Sequence, residues 1–363
     1  MHTAVSFFRR DLFRNRSIIA AIVSVGRIKV HRRHSHKPLT IFLSVVVASL
    51  SAAGPAQAEW MSREEAIMGT RIAVELWAAD RARGEELITQ VMAEMRRVDE
   101  LMSTYKPTSQ VSIVNAEAAK HPVVVDADLF GLLQTALEFS RITEGAFDIT
   151  YASVGYLYDY RRHIKPSDDA IAKALPAVSY KHVILDPQAH SVRFNRAGVR
   201  IDLGGIAKGW AVDRGIEILR VGAVEHAFVT AGGDTRIIGD RFGEPWMVGI
   251  RDPRQEGKVI ARIPLVDAAL STSGDYERFF EADGVRYHHI LSPSTGKSAS
   301  AVRSVTVIGP TATRTDGLSK TIFVLGIKEG MRVLDALGDV DVIAIDKDEK
   351  IYYSKGLARP GAQ

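Results

Sequence analysis

Apolar residues recur along the chain with two different periods, and each period predicts one kind of secondary structure. Within residues 66–77, every second position from Ile72 to Leu76 is apolar, which is the period of a half-buried strand. Residues 84–101 and 127–143 instead repeat apolar side chains every three or four positions, as one face of an amphipathic helix does. This part of the sequence therefore predicts one strand followed by two helices.

Further along the chain, short apolar runs predict strands and one more helical segment appears at 316–325. The segment 109–115 is short and polar, and no helix or strand is predicted there. Strands and helices are mixed without a regular βαβ alternation, so the predicted class is α+β, in one domain spanning 59–363. The later predicted strands lie at 182–185, 191–194, 226–231, 246–251, 259–265, 268–272, 287–291, 305–308 and 342–346.

The first 58 residues have the three parts of an export signal. Residues 1–37 are basic, residues 39–50 form a short apolar run, and Ala56 and Ala58 frame a small-residue cleavage site. The alternative is a membrane anchor, but the apolar run is shorter than the roughly 20 residues of a membrane-spanning helix. We expect cleavage after Ala58 and a periplasmic protein, exported by the general secretory or the twin-arginine route.

The export signal also explains the basic composition. Nine of the 47 Lys and Arg residues, but only one of the 43 Asp and Glu residues, lie before residue 59, so the remainder carries a net charge of −4. The basic balance of the whole chain is therefore no argument for nucleic-acid binding. The absence of cysteine excludes disulfides, thiolate metal sites and cysteine nucleophiles.

The most informative stretch is 201–213, which reads I-D-L-G-G-I-A-K-G-W-A-V-D. Asp202 precedes the double glycine Gly204-Gly205, and Lys208 follows in a helix-forming run. Adjacent glycines allow close approach of a ligand to the backbone, and a helix start presents N–H groups to anions. The set suits an anionic, hydroxyl-rich ligand such as a nucleotide. Its alternative is a strand-to-helix connection whose glycines only permit tight packing.

Three further motifs occur after this stretch, Gly232-Gly233-Asp234, T-S-G-D-Y at 272–276 and H-I-L-x-P-x-T-G at 289–296. Together with D-L-G-G-I-A-K-G they resemble the ApbE family of FAD:protein FMN transferases, over roughly 68–326. The resemblance implies an ApbE-type, T-fold-like α+β domain of two close-packed lobes. It also implies a reaction in which FAD is split, FMN is joined to a Ser or Thr hydroxyl, AMP leaves and Mg²⁺ is required.

The resemblance implies site residues position by position. Gly205 would offer its carbonyl to the metal, and His289 is the candidate base for the acceptor hydroxyl, with a hydrogen-bonding structural histidine as the alternative. His288 would face the other way in an extended segment. Asp275 and Asp234 are expected to hold turns and the pocket wall. The residues implied to contact FAD are Met68, Tyr105, Ala146, Phe147, Asp148, Asp202, Lys208 and Ile290.

Two positions depart from the family pattern. Asp316 begins a metal-binding pair whose second member, four residues on, is a Thr in the family but Lys320 here, and Ser292 stands where the family has Asp. A protonated lysine has only donors and cannot ligate Mg²⁺. The ammonium replaces part of the ion's charge, Thr321 supplies the oxygen instead, or Lys320 simply pairs with Asp316. We expect a retained but altered cation site that keeps Asp316 and Gly205.

Three functions compete on this evidence. The leading one is an exported flavin transferase, with Asp316 and His289 as its catalytic residues. The others are an FAD pyrophosphatase and an FAD-binding pseudoenzyme. The implied acceptor is a periplasmic-facing domain with a Ser/Thr flavinylation motif in a membrane electron-transport complex. Candidates include sodium-pumping quinone reductases and nitrous-oxide-respiration flavoproteins, the latter served by a NosX-like accessory subfamily.

Overall fold

Strands make up much of the part of the chain that the computed structural model describes, residues 58–255 and 257–357. Residues 1–57 of the predicted export signal, which ends at Ala58, lie outside the described residues. In chain order the strands are β1 (Glu59–Ile67), β2 (Thr70–Ala78), β3 (Val123–Val124), β4 (Val183–Asp186), β5 (Ser191–Phe194), β6 (Ala227–Ala231), β7 (Asp234–Ile238), β8 (Trp246–Arg251), β9 (Val259–Leu265), β10 (Ala269–Gly274), β11 (Phe279–Ala282), β12 (Val285–His288), β13 (Val302–Gly309), β14 (Asp341–Asp346) and β15 (Ile351–Tyr353).

Eight of these strands form the main sheet, in the order β1-β2-β6-β7-β10-β13-β14-β15, and every neighbouring pair is antiparallel. The pairs β8-β9 and β11-β12 are separate hairpins, and β3, β5 and β4 form a small third sheet. Antiparallel sheets combined with helices outside any βαβ repeat confirm the predicted α+β class.

The helices cover the main sheet. Helices α1, α6 and α7 lie side by side, with α1 on β1 and β2, α6 on β6 and β7, and α7 on β10, β13 and β14. None of the described helices is long and apolar enough to cross a membrane. The helices are α1 (Arg81–Met102), α2 (Gln110–Glu117), α3 (Ala127–Ile142), α4 (Ala152–Gly155), α5 (Asp168–Ala174), α6 (Ala207–Val221) and α7 (Ala312–Leu337).

The two helices predicted from periodicity are confirmed as α1 and α3, and the strand predicted at 66–77 is confirmed as β2, except that it begins at Thr70. It is the second half of a hairpin, β1-β2, which turns at Met68 and Gly69. Both turn residues have positive φ, 55° and 68° respectively, and glycine adopts this conformation without steric cost. Because β1 carries many charged side chains, its alternation is weak in the sequence.

Other boundaries also differ from the predictions. The polar segment after α1 is helical, and α2 begins because the Ser109 side chain accepts a hydrogen bond from the Ser112 N–H at 3.1 Å. The strand predicted at 287–291 ends at His288, and Leu291 makes only an isolated bridge to Ser298. The predicted helix at 316–325 is the first half of α7, which continues past a break at Gly326.

Candidate active site

A cavity of about 590 Å³ opens where the ends of several strands of the main sheet meet the starts of two helices. The β1-β2 turn, the β6-β7 turn and the end of β10 form one side of it. The start of α6 and the first turns of α7 form another side, and the segment after β12 closes it. All but one of the predicted site residues line this cavity, namely Met68, Tyr105, Ala146, Phe147, Asp148, Asp202, Gly205, Lys208, His289, Ile290, Asp316 and Lys320.

Asp202 fixes the double-glycine turn that precedes α6. One of its carboxylate oxygens accepts hydrogen bonds from the Gly204 N–H at 2.7 Å and the Tyr151 hydroxyl at 3.1 Å. The other oxygen accepts from the Thr104 hydroxyl at 2.9 Å. This carboxylate therefore joins three segments that are far apart in sequence, and its first role is to hold the shape of the cavity wall.

A second set of charges lies between α6 and α7. The Lys208 ammonium is 2.7 Å from Asp234 Oδ2 and 3.5 Å from Asp316 Oδ2. Asp316 Oδ2 also accepts from the Gly209 N–H at 3.1 Å, and Lys320 pairs with Asp316 Oδ1. Two carboxylates and two ammoniums thus form a connected charge quartet, Asp234, Lys208, Asp316 and Lys320.

The quartet shifts the pKa of its own members. Burial tends to raise the pKa of Asp316, but the ammoniums of Lys208 and Lys320 outweigh burial and hold that pKa below its usual value. Burial, with repulsion from Asp316, raises the pKa of Asp234 despite the two lysines. Burial also disfavours charged Lys208, yet the two carboxylates raise its pKa well above the ordinary value. Lys208 therefore stays positively charged, and its ammonium binds the two carboxylates of the protein instead of being free to bind phosphate.

The residues around Asp316 do not suit a magnesium ion. The Lys320 ammonium donates to the Asp316 main-chain carbonyl at 2.8 Å and also contacts Oδ1, so it occupies a carboxylate oxygen that a metal would use. Among the described residues, no group of three His, Asp or Glu side chains is arranged to hold a metal. Thr321 does not line the cavity, and its fully buried hydroxyl has no hydrogen-bond partner in the described chain.

The two adjacent histidines have different surroundings, as the extended geometry predicted. His288 is buried away from the cavity, where its Nε2–H donates to the Ala299 carbonyl at 2.5 Å and its Nδ1 accepts from the Ile290 N–H at 3.3 Å. His289 is half-buried and lines the cavity. Burial, together with the charges of Arg278 and Lys320 among its neighbours, lowers the pKa of His289 well below its usual range. Its ring is therefore neutral at pH 7.

Asp148 lines the cavity, but its carboxylate is already engaged by the protein. One oxygen accepts from the N–H and hydroxyl of Thr150 at 2.8 and 2.6 Å, and the other accepts from the Tyr180 N–H at 2.7 Å. It caps the short helical turn Ile149–Tyr151. Of the predicted contact residues, Tyr105 is by contrast the most open, with 75% of its surface exposed at the cavity mouth.

Sequence reasoning missed several lining residues. Arg278 is one of them, and its guanidinium donates to the Tyr105 hydroxyl at 3.5 Å. Arg200 lies over the Tyr156 ring at 4.8 Å. No sequence motif indicated these two arginines. The tyrosine-rich segment 151–160, by contrast, could have been recognised in the sequence as a candidate for the cavity lining. Further lining residues that were missed include Asp99, Thr104, Tyr151, Tyr158, Tyr160 and Glu277.

Known proteins are similar in sequence to this chain over most of its length. The ApbE family model matches residues 68–344. The FAD:protein FMN transferase of Treponema pallidum is 33% identical over 326 residues, which is 85% of this chain and 90% of that protein. A protein of the same name from Klebsiella pneumoniae is 32% identical over 292 residues, 79% of this chain and 90% of that protein.

Solved structures share the fold. The crystal structure of the ApbE protein from Thermotoga maritima superposes with a TM-score of 0.76 at 36% identity, covering 82% of this chain and 98% of that one. The flavin transferase ApbE of Vibrio cholerae gives a TM-score of 0.74 at 29% identity, with the same coverage. The motifs around the cavity, the match over 68–344 and these structures lead to one conclusion: the chain belongs to the ApbE family.

Proposed function

We propose that this protein is an FAD:protein FMN transferase, which joins FMN to a Ser or Thr hydroxyl of an acceptor protein and releases AMP. The observation that carries the proposal is the cavity itself. The double-glycine turn, the charge quartet and His289 line it together, in a chain that is 33% identical over 326 residues to a relative with that name. Membership of the ApbE family supports the same activity.

The cavity has groups suited to both halves of FAD. The exposed ring of Tyr105 offers a face for stacking an aromatic base or ring system. The Gly204-Gly205 turn brings bare backbone to the start of α6, where a helix favours negative charge. Lys320 and Arg278 line the same cavity and can supply positive charge to a diphosphate. These contacts orient FAD with its diphosphate near α7.

The reaction is a displacement at phosphorus. The acceptor hydroxyl oxygen forms a bond to the phosphorus of the FMN half, and the bridging P–O bond breaks with its electron pair leaving on AMP. The hydroxyl proton passes to a base, and neutral His289 on the cavity wall is the candidate. A bound diphosphate raises the pKa of His289 by bringing negative charge close to it, which makes the ring a better proton acceptor.

The proposed acceptor rests on the family resemblance, and the proposed compartment rests on the export signal. The export signal predicted before residue 59 supports a periplasmic enzyme. Such an enzyme acts on a periplasmic-facing domain that carries a Ser/Thr flavinylation motif. Membrane electron-transport complexes, including the flavoproteins of nitrous-oxide respiration, are acceptors of this kind. The residues at Asp316 do not suit a divalent metal. We therefore expect Lys320 and Arg278, which line the cavity, to balance the charge of the diphosphate.

Mass spectrometry tests the proposal directly. The purified protein is incubated with FAD and a Ser/Thr-bearing acceptor domain, and a matched domain with that residue changed to Ala serves as the control. We expect one FMN added to the intact acceptor, none on the control, and one AMP released for each FMN transferred. Free FMN and AMP without an adduct would identify a pyrophosphatase instead, and intact bound FAD would identify a binding protein.

A further inference from the structure

We propose that the Lys320 ammonium is the resident cation of this site and takes the place of the magnesium ion that the family resemblance implies. The inference rests on the proposed function, because it states how the same cavity balances the charge of the FAD diphosphate. It goes beyond that function in predicting an enzyme whose FAD binding and FMN transfer require no divalent cation.

The position of Lys320 supports this role. It follows Asp316 by four residues on α7, so both side chains lie on the same face of the helix. Only 16% of the lysine side chain is exposed, and the residue lines the cavity. Its Cε would be 3.5 Å from a Cβ built on Gly205, so the end of the side chain lies beside the double-glycine turn. The ammonium thus lies between α7 and the Gly204-Gly205 turn, the two segments that carry the expected metal ligands.

The contacts of the ammonium leave no room for a metal at the same oxygens. Lys320 donates to the main-chain carbonyl of Asp316 at 2.8 Å and pairs with its Oδ1, while Lys208 and the Gly209 N–H are on Oδ2. An ammonium has three donors, and two of them are used here. The third remains for a ligand oxygen in the cavity.

The charge balance of the quartet points the same way. With all four groups ionised, the carboxylates of Asp234 and Asp316 are matched by the ammoniums of Lys208 and Lys320. A divalent ion added beside Lys320 would place like charges together in a buried site. With an uncharged residue at this position, the remaining three groups would carry a net charge of −1, which attracts a divalent ion. The lysine therefore sets whether the site takes a metal.

During the reaction the ammonium keeps its proton. The acceptor oxygen bonds to the phosphorus of the FMN half, the bridging P–O bond breaks, and AMP takes the electron pair of that bond. The acceptor proton moves to His289 and from there to solvent. Lys320 offsets negative charge on the diphosphate oxygens throughout, as a fixed point charge for phosphate.

The test compares FAD binding and unfolding midpoint in EDTA and in Mg²⁺, with FMN transfer as a third readout. The variants are Lys320→Thr, Lys320→Arg and the control Lys328→Thr, which changes an exposed lysine of the same helix outside the cavity. For the unmodified protein and Lys328→Thr, we expect the same Kd for FAD in both solutions. For Lys320→Thr, we expect binding about 10- to 100-fold weaker in EDTA, largely restored by Mg²⁺, as for loss of one charge-assisted hydrogen bond.

Lys320→Arg keeps the positive charge, so we expect its FAD binding to stay independent of Mg²⁺. If the unmodified protein binds FAD only with Mg²⁺, or if Lys320→Thr binds equally well in EDTA and Mg²⁺, the inference is overturned. Failure of the proposed function looks different, because FAD would then bind independently of metal but no acceptor would gain FMN in either solution. An apo unfolding midpoint for Lys320→Thr close to that of Lys328→Thr shows that the variant is folded.

Discussion

Asp316 shows how much one side chain can organise. It has no exposed surface, and its two carboxylate oxygens are held by two lysines and one backbone N–H. A carboxylate removed from water is stable only when such partners replace its hydration. Removing its charge therefore leaves Lys208 and Lys320 close together without the anion between them.

We expect Asp316→Asn to lower the free energy of unfolding by about 3–5 kcal/mol, the cost of breaking a buried ion pair. Glu329→Gln, which breaks an exposed pair with Arg332 on the same helix, is the control and should cost less than about 1 kcal/mol. Urea denaturation of both variants gives the comparison. Equal, small losses for the two variants would mean that the quartet does not stabilise the fold.

The two histidines make stability depend on pH. Burial is the main cause that lowers the pKa of both His288 and His289 below the value of 6.5 expected in the unfolded chain. On acidification the unfolded chain therefore takes up protons first, so stability is full above about pH 6.5 and falls below it.

We expect His289→Gln to reduce this acid-induced loss, because one of the two groups no longer titrates. Unfolding midpoints measured between pH 7.5 and 5 provide the test. A His289→Gln protein with the same pH dependence as the unmodified chain would show that this ring is not held neutral.

At the scale of elements, the crossing of α6 and α7 decides the geometry of the site. Gly209 is in α6, and a Cβ at this position would lie 2.2 Å from the Ala312 carbonyl oxygen and 2.8 Å from Asp316 Cβ. Both distances are shorter than real contacts allow, and the nearest obstacle is backbone. The glycine therefore permits the two helices to approach until the Gly209 N–H reaches Asp316.

Gly209→Ala should destabilise the protein by about 1–3 kcal/mol through overpacking, and it should also weaken FAD binding because Asp316 and Lys320 move. Gly131→Ala is the matched control, since nothing lies within 4 Å of a Cβ at that position in α3. It should be neutral or stabilising, by up to about 1 kcal/mol, as for Gly to Ala within a helix. Urea unfolding and FAD titration of the pair would decide, and a tolerated Gly209→Ala would contradict this account of the crossing.

The same elements show what a sequence can predict. Periodicity found α1 and α3 because each buries one continuous apolar face. It missed β1, whose outward side chains are charged, and α2, which depends on the Ser109 cap. The Asp316–Lys320 pair followed from its four-residue spacing. The link from Lys208 to Asp234 did not, because it forms only when α6 packs beside the β6-β7 turn.

At the scale of the molecule, the cavity lining carries charge of both signs, with four Lys or Arg and six Asp or Glu side chains. The chain after residue 58 carries a net charge of −4, yet Arg200 and Arg278 line the cavity. Arg278 lies beside exposed Tyr105, to whose hydroxyl its guanidinium donates. Because both arginines are exposed, they attract an anionic nucleotide to their part of the cavity, and salt screens this attraction.

We therefore expect association of FAD to slow as ionic strength rises from about 10 to 300 mM, because the Debye length falls from about 30 Å to less than 8 Å over that range. In Arg278→Gln the association rate should be lower at low salt and depend less on salt. Stopped-flow flavin fluorescence measures both rates. Arg161→Gln, which changes an exposed arginine outside the cavity, is the control, and identical salt dependence in the two variants would contradict steering by Arg278.

Because Lys320 is part of α7, its positive charge does not have to be supplied to the site from solution. A dissociable ion occupies its site according to its concentration outside the protein, and dilution or a chelator removes it. The Lys320 ammonium is joined to α7 by covalent bonds, and it contacts Asp316 in the folded chain whatever the surrounding ions. Its occupancy is therefore fixed when the chain is made. The export signal predicts that the protein works outside the cytoplasm. In that compartment the Lys320 ammonium is already in the site, which therefore needs no cation from the surrounding solution.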